Sequence, residues 1–195
     1  MNLNAYSPQI ILGACVIILV FMLAIAWAVK RQRDRRLTQD LRDRFGPEYD
    51  AALVHYGSRR RAEAALAGRV RRVEQFHLRA LSVTERNRFL TEWDSIQARF
   101  QDHPRGAVTE ADELINSILQ VKGYPGGTFQ QRVADISVHH PRMVDAYRRA
   151  NATTVRAGRN EAPIEELHNA MILYRGLFEE LVQSRTLEMP RAQAA

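Results

Sequence analysis

From Ile10 to Val29 the chain runs 20 residues without a charge, then sets Lys30, Arg31, Arg33, Arg35 and Arg36 within the next seven positions. At about 1.5 Å of rise per residue a helix of that length spans roughly 30 Å, the thickness of a hydrocarbon core. Backbone groups in lipid must be paired within their own segment, so a helix is the form expected. Tyr6 and Trp27 stand near its two ends, where amphipathic rings favour the membrane interface. No Lys or Arg precedes the run and five follow it directly, so the positive-inside rule predicts a short N-terminus outside and the rest of the chain in the cytoplasm. A cleaved leader is the rival. Ala24-Ile25-Ala26 offers a cleavage pattern, but the basic start of a signal peptide is missing and the new end would begin close to KRQRDRR.

Charge is distributed in keeping with that layout. Residues 30–79 hold 14 Lys/Arg against 7 Asp/Glu, whereas residues 80–195 hold 14 against 15. The whole excess lies next to the apolar run, which points to anionic lipid head groups at the basic stem before it points to nucleic acid. Cys15 is the single cysteine, so no disulfide can form within the chain. Ala24 and Ala28 form a small-xxx-small pair through which two copies could pack as a homo-oligomer.

Beyond residue 30 the apolar period is helical almost everywhere. Leu37, Leu41 and Phe45 recur every four residues and predict an amphipathic stem, stopped by Gly46-Pro47. A short helix over about 48–56 follows, then an arginine-rich one over 58–79 with Ala62, Leu66, Val70, Val73 and Phe76 on one face. Ser82-Val83-Thr84-Glu85 is a capping box that opens another, carrying Phe89, Trp93, Ile96 and Phe100 inward. Helices are also expected from Pro104, from Thr128, from Pro141 to Gly158, and over Ile164 to Leu181. No stretch alternates with the period of a strand. The fold class expected is all-α: one N-terminal transmembrane helix followed by a cytoplasmic bundle of about five or six helices. Its parts are residues 1–9 outside, 10–29 in the membrane, 30–46 as basic stem, 47–184 as the helical domain and 185–195 as a tail with little to bury.

Sites of chemistry are hard to find. His139 and His140 with Asp135 suggest a metal, yet adjacent histidines point apart and no second ligand pair stands nearby. Tyr124-Pro125-Gly126-Gly127 lacks the Lys-Ser/Thr frame of a phosphate loop and the strand before it. No serine sits in a nucleophile elbow, and Glu165/Glu166 and Glu179/Glu180 are consecutive and diverge on a helix. No catalytic residue, cofactor or metal is assigned. The candidate interaction surface is the arginine-rich helix (Arg59, Arg60, Arg69, Arg72) together with Tyr124, Arg132, Asp135 and His140.

Four blocks carry a resemblance: LRDRFGPEYD (41–50), GSRRRAEAAL (57–66), ERNRFLTEW (85–93) and QRVADISVHHP (131–141). Together they resemble an uncharacterised family of small bacterial single-pass membrane-anchored proteins. The resemblance implies a bacterial inner-membrane location and brings no activity, cofactor or residue role. The function expected is that of a membrane-anchored, non-enzymatic scaffold or adaptor with a protein partner. Two alternatives stand beside it: a tethered nucleic-acid binder, ranked lower because exposed rings are missing among the cations, and an enzyme with a site between Tyr124 and His140.

Overall fold

The computed structural model describes residues 8–184, with side chains from Ile17 onward. They are all-helical: α1 (Pro8–Phe45), α2 (Pro47–Tyr56), α3 (Arg59–Val73), α4 (Val83–Arg99), α5 (Pro104–Val121), α6 (Phe129–Ile136), a 3-10 turn (Pro141–Met143), α7 (Val144–Gly158) and α8 (Ile164–Gln183), with no strand among the described residues. The chain divides into two compact units, Met1–Asp43 and Arg44–Ala195.

The first unit corrects the reading of the N-terminus. Among the described residues no helix is long and apolar enough to cross a membrane. α1 continues through Lys30 to Arg36 without a break, so the charges ride on the same rod. The transmembrane segment, the single-pass topology and the inner-membrane location expected above are therefore not supported. Tyr6, residues 185–195 and the side chains of residues 10–16, Cys15 included, lie outside the described residues.

In the second unit most helix ends fall where local chemistry puts them. Gly46 takes φ +49° ahead of Pro47, and Gly57 closes α2 in the left-handed region with its N–H on the Leu53 carbonyl. Ser58 accepts from the Arg61 N–H and Thr128 from the Gln131 N–H. Both halves of the Ser82/Glu85 capping box are formed, and Arg79 grips the Glu85 carboxylate with two N–H groups at 2.8 and 2.6 Å. One end differs from expectation. α3 stops at Val73 instead of running to Arg79, and Phe76 lies in the connection that follows. α7 ends at Gly158 as expected, with Asn160 in the left-handed region two residues on. The helical domain holds seven α-helices where five or six were expected, and the short helices expected near 48–56 and from Thr128 are both among them.

One apolar core joins α4, α5, α6, α7 and α8, with Phe89, Ile115, Ala150, Tyr174 and Leu181 shielded from solvent. Trp93 stacks on Phe178 with ring centroids 4.8 Å apart. Between α3 and α4 the chain is pinned to this core by the Arg79 N–H on the Lys122 carbonyl at 2.9 Å, with Phe76 and Leu78 resting on it. Gly123 makes the crossing feasible: its φ is +95°, and any Cβ there would collide with the His77 carbonyl oxygen.

Candidate functional site

The arginines of α3 divide by what they face. Arg59 pairs with Glu63 at 2.8 Å, one turn on, and Glu63 also accepts from the Tyr49 hydroxyl. Arg60, Arg61 and Arg71 are exposed. Arg69 is mostly covered, and Arg72, though half-exposed, reaches a buried acid. The Arg69 guanidinium donates to Glu48 at 3.2 Å and to Ser137 at 3.3 Å, and Arg72 Nε donates to Asp135 at 3.1 Å. Glu48, 6 % exposed in the first turn of α2, also takes two hydrogen bonds from Arg148 of α7, at 3.0 and 2.8 Å. One buried carboxylate thus ties together three helices.

Asp135 is 1 % exposed and is held through one oxygen only. Arg72 and Gln131 both donate to Oδ1, while Oδ2 has no partner. Around it, the Arg72 guanidinium lies over the Phe76 ring at 5.5 Å, and Phe76 meets Tyr124 edge to face. The Tyr124 hydroxyl is 3.2 Å from His139 Nδ1. Burial, and then the charge of Asp135, push the Tyr124 phenol far above its usual range, so it stays protonated. Of the residues singled out between Tyr124 and His140, the fold therefore brings Tyr124 and Asp135 together with His139. His140 turns the other way, to Glu180 on α8 at 3.0 Å. Arg132 reaches back to the Gly127 carbonyl at 2.9 Å and leaves Nε buried without a partner. Among the described residues no group of three or more His, Cys, Asp and Glu is placed to hold a metal.

Of the residues expected at a membrane interface, those from Trp27 to Arg36 sit on α1. Lys30, Arg31, Arg33, Arg35 and Arg36 are exposed, and Arg31 lies over the Trp27 ring at 5.1 Å.

Three features escaped the sequence reading. The first is a polar seam inside the bundle. Asp112 of α5 accepts from the Tyr174 hydroxyl at 3.0 Å and from Asn116 and Asn151, Tyr147 donates to Asn116, and Thr154 meets Tyr174 at 2.8 Å. Burial first and the Asp112 charge second push Tyr147 up to about 12 and Tyr174 higher still, so both phenols stay neutral donors. The second is Lys122, buried at the end of α5. Its ammonium donates to the Leu181 carbonyl and to the Ser184 carbonyl and hydroxyl at 3.0 to 3.1 Å, satisfying the last turn of α8. The third is a groove of about 520 Å³ between α7 and α8. It is lined by Ala152, Thr153, Ala170, Ile172 and Leu173, with Arg149, Arg156, Glu166 and Asn169 at its edges. Each of these joins residues 20 or more positions apart or depends on which faces two helices leave open. Local pattern carries no mark of that.

No protein-family model matches the chain, and neither a curated protein nor a solved structure is similar to it.

Proposed function

We propose that the helical domain is a protein-docking module whose partner lays an amphipathic segment along the α7–α8 groove. The groove itself carries this reading. Ile172, 57 % exposed, and the half-buried Leu173 offer apolar contact, and Ala152 and Ala170 are small enough for another backbone to come close. α7 sets Arg149 and Arg156 along the groove, while Arg148 is taken up by Glu48, so the segment that fits is apolar on one face and acidic along the edge over α7. Arg149 pairs with Asp145 one turn earlier at 3.0 Å, and Arg156 with Glu166 of α8.

The test is a photo-crosslinking side chain placed at position 172 of the full chain, with a control probe at Glu92 on the exposed side of α4. The expected result is one discrete adduct from position 172, none from position 92, and an affinity for the captured partner that falls by about tenfold on Arg149→Glu. No adduct at 172, or one whose yield ignores Arg149→Glu, would overturn the proposal.

A further inference from the structure

We infer that the α2–α3 hairpin is a separately opening flap, latched onto the α4–α8 bundle by the buried carboxylates Glu48 and Asp135 instead of being fused to it by a shared apolar core. The inference is independent of the α7–α8 groove.

The hairpin's buried apolar residues lie apart from the main core. Tyr49, Ala52, Ala62, Leu66 and Val73 are shielded from solvent, yet among the described residues none belongs to the contiguous core of α4–α8. α2 and α3 pack chiefly on one another, and they meet the remainder through α6 and the 3-10 turn Pro141–Met143. Apolar burial is non-directional and accumulates with shared area, so two clusters that share little of it are weakly coupled.

The polar side is the latch. Glu48 receives Arg69 from within the hairpin and Arg148 from α7, while Asp135 on α6 receives Arg72 from α3. Arg69 adds the Ser137 hydroxyl of the same junction. Burying two carboxylates costs much of what their pairing returns, so such a junction specifies a docked position without adding much net stability, while losing one partner alone is expensive. Asp135 Oδ2 sharpens the point: it is buried and unpartnered when the flap is docked and recovers water when the flap lifts.

A hinge is available. Beyond Val73 the helix gives way to Glu74 and Gln75, and by Arg79 the backbone is fastened to Lys122, so a lift of α2 and α3 stops at that fastening. Opening would present the inner apolar faces of α2 and α3 to a partner.

Hydrogen exchange of the full chain by mass spectrometry tests this. Amides of α2 and α3 are expected to exchange through one common opening, about a hundredfold faster than those of α5 and α8. Glu48→Gln, which leaves Arg69 and Arg148 without their anion, is expected to speed exchange in α2 and α3 by a further tenfold or so and to leave α5 and α8 unchanged. Asp135→Asn, acting from the other side of the junction, should give the same pattern. Equal protection of all these helices in the unaltered chain overturns the inference, as does a variant that accelerates α5 and α8 as much as α2 and α3. Should both variants lose their fold, the exchange pattern of the unaltered chain decides alone.

Discussion

His139 and His140 are neighbours in the chain that part company in the fold, and both respond to burial. His139 faces the Tyr124 hydroxyl, and its pKa is lowered first by burial and then by Arg44 and by His140 when that ring is protonated. His140 faces Glu180, which opposes the downward pull of burial, while Lys122 adds to it. A base whose folded pKa lies below its unfolded value of about 6.5 takes up protons more readily when unfolded. Its contribution is therefore complete above that pH and is lost as the pH falls from there toward the folded value. Urea unfolding at pH 7.5 and at pH 5.5 should show a loss of stability at the lower pH that shrinks in His139→Gln. An unchanged loss in the variant would show that His139 has no part in it. The pair is easy to see in the sequence, and its divergence follows from their adjacency. That one finds a phenol and the other a carboxylate does not, because Glu180 comes from a helix 40 residues on.

At the scale of elements, starts were more legible than ends. Ser58, Ser82 and Thr128 each sit one residue before a helix and accept the backbone N–H three positions later, a relation written entirely in neighbouring residues. Ser82→Ala is expected to cost about 1 kcal/mol, seen as a lower midpoint in thermal or urea unfolding, and Ser82→Asp should restore most of it. A midpoint unmoved by the alanine would mean that the cap adds nothing beyond solvent. The overlong α3 is the instructive miss. Phe76 continues the apolar face of that helix, but its place is on the core of α4–α8, and the chain leaves helix to reach it. The α8 C-terminus is the converse: its carbonyls are met by Lys122, whose nearest partner there lies 59 positions away.

For the whole molecule, the α4–α8 core is where stability resides. Phe178 is almost fully buried and stacks on Trp93. Phe178→Ala should cost about 3–5 kcal/mol, read from urea unfolding followed through tryptophan fluorescence, since the stacked Trp93 reports the core while Trp27 is exposed. A cost under about 1 kcal/mol would mean that the core collapses around the gap and that the contact is dispensable. The same core explains why the candidate interaction residues did not form one surface. Arg69, Arg72, Asp135 and His140 serve contacts between helices, whereas Arg60 stays in solvent. The open groove lies instead between α7 and α8.

Periodicity, capping residues and the glycine and proline stops determined from the sequence alone that this chain is helical and roughly where each helix begins, because those signals act within one or two turns. The membrane-crossing reading of α1 did not survive: among the described residues no helix is long and apolar enough to span a bilayer. Only the tertiary structure decided which arginines are locked and which are free, that Glu48 joins α2 to α7 across 100 positions, and that α7 and α8 leave a groove open. The reason is physical: burial and pairing are properties of where two surfaces meet, and no residue carries its distant neighbour in its own local pattern.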